Sequence, residues 1–338
     1  MKRRAIRAIA ASLAIAAFAA RPVRAEPPAS GARLAALAPA EDARRAIAIG
    51  AGGEVFEPDG KGAWVHRRAI ATADRVTAAG RAAPGGAVVA LGDGVVYRLA
   101  SNGWSAIRLV QRGKAILGSG ARSLAAVGRQ LFALDTLTRG EPTKLALAPA
   151  GIVAIGSGAR GTVITTDAGV LRFDGKNLVA LNAPARMRLV SDRWAIVDRG
   201  ALDLSTVTAA TIATPRTASR TAPRTASRAA SRAPPSITPW PDGLAIGVAS
   251  VAPDGALIAI GAGRAGLELL TVRGGKLARD PLGLKGSAVG VVVDRAGRAT
   301  VALIDGRIAL RDKAGWTTTE VTEEPPAERP GPPPAPSR

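Results

Sequence analysis

The chain has no cysteine, a single histidine, His66, and ten aromatic residues (five Trp, four Phe, one Tyr) among 338 positions. Each scarcity closes a class of chemistry. Without thiols there is no disulfide framework, Cys-ligated zinc, iron–sulfur cluster or cysteine nucleophile, and one imidazole cannot build a multi-His metal site. No apolar run reaches the roughly 20 residues a helix needs to span about 30 Å of hydrocarbon. Acidic residues are few as well: 26 Asp plus Glu face 46 Lys plus Arg, a net charge of +20. Apolar residues make up 47% of the chain, mainly Ala, Val, Leu and Ile, broken by 39 Gly and 24 Pro. The length allows one large domain or two ordinary ones, with a core that needs no covalent staples. Its packing units should be thin and rich in turns.

Lys2, Arg3, Arg4 and Arg7 precede an apolar run from Ala8 to Ala20, and Val23-Arg24-Ala25 suits cleavage at small residues after Ala25. Residues 1–25 therefore read as a signal peptide, since thirteen apolar residues are too few for a membrane anchor. Arg3-Arg4 also resembles a twin-arginine signal, so both export routes stay open. The mature chain is expected to be periplasmic or secreted, with no transmembrane anchor. Cleavage removes Lys2, Arg3, Arg4, Arg7, Arg21 and Arg24, leaving 40 basic residues against 26 acidic.

Five of those charges form a series: Arg216, Arg220, Arg224, Arg228 and Arg232 recur every four residues among Ser, Thr, Ala and Pro. On a helix they would stack like charges along one face, and Pro223, Pro234 and Pro235 interrupt the backbone ladder. Residues 214–234 are expected to be a disordered insertion. It is either a low-complexity surface loop or a polycation that captures anionic envelope polymers by counterion release. No aromatic sits among the arginines to stack on bases, so no specific nucleic-acid partner is expected. Residues 26–45 mix Pro, small residues and charge and read as an N-terminal linker, with an apolar patch at Leu34 to Leu37 available to pair with the fold. The tail, 321–338, has seven Pro in its last sixteen residues and reads as an extended spacer.

Between these segments the chain repeats. Phe56, Tyr97, Phe132, Phe173, Leu204, Leu270 and Leu310 mark seven similar apolar runs separated by 41, 35, 41, 31, 66 and 40 residues. The long step contains the Arg-rich stretch; without it the mean is about 39 residues, the length of a four-stranded unit. Runs such as Ala87 to Leu91, Ile152 to Gly156 and Leu257 to Gly261 are short, aliphatic and bounded by Gly or Asp-Gly, which is strand chemistry. Asp59-Gly60, Asn102-Gly103, Asp174-Gly175, Asp254-Gly255 and Asp305-Gly306 supply turns, so their acids are turn formers before they are candidate ligands or general acids.

Seven such meanders bury their edges best as a closed ring. Gly169 to Lys176 resembles the repeat of two-component-regulator propellers, Val251 to Ile260 is similar to blades of translocation-associated and WD-type propellers, and Thr166-Asp167-Ala168-Gly169 resembles part of an Asp-box turn. No one of these families covers all seven units, so the resemblance implies an architecture and transfers no functional residues. The expected fold is an all-β propeller of about seven four-stranded blades, six being possible, with blades one to five in 46–213 and blades six and seven in 235–320.

Trp64, Trp104 and Trp316 recur at one place in the repeat, where they can either stack a ligand or cover seams between blades; the regularity favours the seams. Trp240 lies outside the register, after the insertion, and is the exposed candidate for ligand contact. His66 has no nucleophile or metal cluster near it in sequence and reads as a surface residue. No catalytic residue, metal or cofactor is indicated. The expected function is an exported, non-catalytic binding scaffold for a protein, peptide or glycan in the bacterial envelope. Two alternatives stay open: a periplasmic hydrolase or lyase at the channel mouth, and polyanion binding through the Arg-rich insertion.

Overall fold

The computed structural model describes residues 33–39, 46–59, 62–68, 76–81, 88–92, 94–100, 103–109, 113–120, 122–138, 141–184, 186–209 and 235–322. Regular structure among them is all strand. The strands pair antiparallel with their sequence neighbours in seven consecutive four-stranded units, spanning 34–68, 76–107, 115–147, 152–181, 188–239, 245–281 and 288–322. Asp-led turns join them as turn chemistry requires. Asp174 Oδ1 accepts the amides of Lys176 and Asn177, both at 2.8 Å, and Asp254 Oδ1 accepts that of Ala256 at 3.0 Å.

Seven apolar clusters hold the units together, one at each seam. Phe132 and Val96 meet between the second and third units, for example, Leu202 and Val163 between the fourth and fifth, and Ile308 and Phe56 between the last and the first. The last of these closes a ring, so the fold is a β-propeller. Its core is a circle of wedges. This explains why the second strand of a unit, clamped between two neighbours, is mostly apolar and buried: Ala46–Gly50 is buried at all five positions, and Leu257 to Ile260 at all four.

Ring closure is also a matter of hydrogen bonding. The fourth strand of the first unit, Trp64–Arg68, pairs in parallel with the last strand, Trp316–Thr322, through Val321 opposite Trp64 and Thr322 opposite Val65. The first and last units therefore share one eight-stranded sheet. Five sheets stand as separate blades, one of them widened by the parallel addition of Ser119–Gly120. The expectation of about seven separate blades is corrected to that extent.

Three boundaries also differ from expectation. Within the presumed linker 26–45, Leu34–Pro39 is the innermost strand of the first unit, with Leu34 and Ala38 buried. Burial of its apolar residues between neighbouring units outweighs the disorder expected from flanking Pro and charge. The Arg-rich stretch interrupts the fifth unit and does not divide it from the sixth, because the unit's last strand, Ile237–Pro239, follows it in sequence. In the tail, Val321 and Thr322 belong to the closing strand. The segment expected to be a signal peptide, the rest of the tail and Arg216, Arg220, Arg224, Arg228 and Arg232 lie outside the described residues.

Candidate functional site

The first strand of every unit faces the ring axis, and five of them carry the same irregularity. Register shifts at Ala35, Thr77, Val153, Gly247 and Val289 each insert one unpaired residue near the start of the strand, at the second position in four and the third in the sixth unit. Such bulges bend a strand and increase its local twist. All but Val153 lie in the wall of a central channel of about 810 Å3 lined by residues of all seven units. Its walls are mostly Gly, Ala, Val and Ser, and small residues there let the strands converge. A Cβ on Gly290 would lie 2.5 Å from Leu37 Cβ and 2.7 Å from its backbone nitrogen, across the seam between last and first units. Gly120, at φ +105°, lies against the Ser157 carbonyl with no room for a side chain.

Charge in the channel is mostly positive. Arg122, Arg160, Arg188, Arg193 and Arg295 line it, with Asp192 the lone carboxylate among the lining residues. Arg122, Arg160, Arg193 and Arg295 follow the ends of the inner strands in the third, fourth, fifth and seventh units, and so ring one mouth. Arg188 starts the fifth inner strand. Its guanidinium donates to the Gly247 carbonyl at 2.5 Å and to that of Ile246 at 3.4 Å, across the seam. Desolvation by the packed seam pushes the Arg188 guanidinium pKa below its ordinary value, although the side chain stays solvent-accessible.

The mouth is held by a fixed polar frame. Ser157, fully buried, accepts the Arg122 amide at 3.0 Å, and its hydroxyl reaches the carbonyls of Arg122 at 2.9 Å and Ser119 at 3.1 Å. Ser119 Oγ in turn reaches the carbonyls of Ile155 at 3.1 Å and Leu189 at 3.0 Å, so one hydroxyl ties three units together. Asp192 Oδ2 accepts the Arg160 amide at 2.6 Å. Arg193 stacks 5.0 Å above the Trp194 ring and pairs with Asp203 at 3.0 Å, so its charge is already compensated. Arg160 and Arg295 are exposed, and neither has an ion pair among the described residues.

Of the residues singled out from sequence, none with a described position lines the channel. Trp240 is half-buried, packed on the cluster between the fifth and sixth units, and its amide donates to the Arg199 carbonyl at 3.1 Å. The expectation of an exposed Trp240 is corrected by that seam. His66 is half-buried beside Phe56, with ring centroids 5.5 Å apart, and not on the surface. The repeated tryptophans serve the seams: Trp64 is 1% exposed, and Trp104 Nε1 donates to the Gly53 carbonyl of the preceding unit at 3.2 Å. Among the described residues no three His, Asp or Glu side chains group as a metal site.

The arginines had a legible mark. Gly-Ser-Gly-Ala-Arg occurs twice, at 118–122 and 156–160, and each copy places its arginine at the mouth. Arg188, Arg193 and Arg295 have no such signature.

No protein-family model matches the chain, and no curated protein does. Solved structures match its fold. A streptogramin B lyase superposes with a TM-score of 0.53 at 11% identity, covering 86% of this chain and 96% of that one. The WD40 β-propeller domain of Doa1 gives 0.52 at 10% identity, covering 86% and 96%. YCF48 from Cyanidioschyzon merolae gives 0.52 at 15%, covering 87% and 97%. At these identities the likeness is one of fold alone, and the fold hosts unrelated activities.

Proposed function

We propose that this chain is an exported, non-catalytic β-propeller that holds a protein, peptide or glycan ligand of the bacterial envelope at the mouth of its central channel. One observation carries the reading: all seven inner strands converge on a cavity large enough for a ligand, whose walls are small and apolar and whose mouth is basic. A wall supplied by loops and strand ends of many units can be varied without disturbing the seams that stabilise the ring. The leader-like first 25 residues support the envelope location.

The test places a photo-crosslinking residue at Ala249, in the channel, or at Leu147, 54% exposed and outside the lining, in the mature chain. Incubated with envelope extract, the Ala249 probe should capture a ligand that the Leu147 probe does not. Gly247→Trp should abolish that capture by filling the channel. Equal capture at both positions, or capture indifferent to Gly247→Trp, would reject the reading.

A lyase or hydrolase at the same mouth is a second reading, favoured by a single feature, the buried carboxylate of Asp192 among arginines. Turnover of a substrate panel that disappears in Asp192→Asn would establish it. Polyanion binding through residues 214–234 is a third reading: the chain re-enters the fold at Ser236, whose carbonyl accepts the Asp203 amide at 3.1 Å, and Asp203 pairs with Arg193 of the mouth. Salt-sensitive binding of lipopolysaccharide lost on deleting 214–234, with Ala249 capture unchanged, would support it.

A further inference from the structure

The channel holds charge that the protein itself leaves unbalanced. Five guanidinium groups and one carboxylate line it; Asp203 compensates Arg193, while Arg160, Arg188 and Arg295 have no ion pair among the described residues. The Asp192 carboxylate accepts a backbone amide, that of Arg160, and has no ion pair among the described residues. Arg188, though exposed, is held across the seam by two carbonyl oxygens, which orient a cation without neutralising it. Arg160 and Arg295 stand exposed at the mouth, in the fourth and seventh units, so they approach a bound group from different sides of the ring. A cation held at the seam by neutral oxygens and two unpaired cations at the mouth describe a site whose missing partner is an anion.

The walls say which kind. Val248, Val251, Val289 and Val291 offer apolar surface, and among the described residues no aromatic ring lines the channel to cover a sugar face. Ser119 and Ser157 have their hydroxyls committed to backbone carbonyls, so they are already occupied as partners for sugar hydroxyls. The Gly-Ser-Gly-Ala-Arg loops are pinned by those same hydroxyls, which fixes the backbone from which Arg122 and Arg160 project. Pre-positioned guanidinium forks match carboxylates in a bidentate way, and pinning the loops reduces the entropy lost on binding.

Building on the channel-binding function proposed above, we infer that the ligand is an acidic peptide segment, its carboxylates engaged by Arg160, Arg295 and Arg188 and its aliphatic carbons lying on the valine walls. Binding of this kind weakens with salt, since counterions compete for the arginines.

The experiment uses the full mature chain and a fluorescent hexapeptide of alternating Glu and Val, read by anisotropy at low and physiological ionic strength. A Gln–Val peptide, an acidic oligogalacturonate and inorganic phosphate serve as competitors. The Glu–Val peptide should bind, and the Gln–Val peptide should compete at least tenfold more weakly. The double variant Arg160→Gln/Arg295→Gln should lose at least tenfold in affinity. Arg264→Gln, an exposed arginine outside the channel, should bind as the parent does. Deleting 214–234 should leave the affinity unchanged. Thermal unfolding checks that the double variant, altered only at exposed positions, still folds. Equal binding of the Glu–Val and Gln–Val peptides, stronger competition by oligogalacturonate or phosphate than by unlabelled Glu–Val peptide, an unaffected double variant, or loss of binding on deleting 214–234 would each overturn the inference. Ala249 capture that persists alongside any of these results would leave the broader channel-binding function standing.

Discussion

Val321, in the closing strand Trp316–Thr322, lies opposite Trp64 in parallel register, and both are buried in the same apolar cluster. The two belong to the last and first units, so this pairing is where the chain's two ends lock the ring. Its loss exposes both flanking units.

Val321→Asp should therefore destabilise the protein by about 3 kcal/mol, because it sets an unpaired charge in an apolar seam. Truncation after Thr322 should leave the thermal midpoint unchanged. Denaturant titration of both proteins checks the pair, and a midpoint for Val321→Asp equal to the parent's would show that the parallel pairing does not hold the ring.

Gly290→Ala should cost about 1–3 kcal/mol, since the new Cβ meets backbone and Cβ atoms of Leu37 and the inner strands of the joined units must move apart. Gly80→Ala, at an inner strand where a Cβ would meet only Leu117 Cδ2 at 4.0 Å, should change stability by less than about 0.5 kcal/mol. Urea unfolding of the two variants separates close approach from a general intolerance of side chains along the channel.

Ser157→Ala should lower stability by about 1–3 kcal/mol, because the hydroxyl is fully buried and its removal strands the Arg122 amide and the Ser119 carbonyl. Amide hydrogen exchange should quicken at Arg122 more than at Thr238, a buried residue in the far strand of another unit. Uniform quickening at both would mean that Ser157 supports the whole fold and not the mouth.

Asp203 shapes the acid limb of stability. Burial raises its affinity for a proton, but hydrogen bonds from Ser205 and Arg193, with the Arg193 charge, outweigh burial and hold the carboxyl below its ordinary 3.8. A carboxyl depressed in the folded state contributes stability above its unfolded pKa, and that contribution fades as pH falls through the lower folded value. Asp203→Asn should reduce stability at pH 7 and make the decline between pH 5 and pH 2 shallower than in the parent. Glu268, held down first by its hydrogen bond from Arg279, continues to contribute part of the slope. Parallel slopes for the two proteins would remove Asp203 from this account.

The repeat was legible because each unit obeys local rules. Phe56, Tyr97, Phe132, Phe173, Leu270 and Leu310 all fall in third strands, and Leu204 directly follows one. The apolar second strands and the Asp-Gly turns are local too, and both are written in a few adjacent residues. The joining of the first and last units into one sheet was not legible, since Trp64 and Val321 are 257 positions apart and nothing in either neighbourhood names the other. Trp240 misled because its position outside the repeat says nothing of the seam that partly covers it.

By itself the sequence determined the strand content, the unit length, the turns and an excess of basic charge, because hydrophobic periodicity and glycine or aspartate chemistry act within a few residues. Only the tertiary structure decided which charges matter together. Arg122, Arg160, Arg188, Arg193 and Arg295 are spread over more than half the chain and meet in one channel, because ring closure brings the inner strands of all the units to a common axis, a convergence that no local pattern encodes.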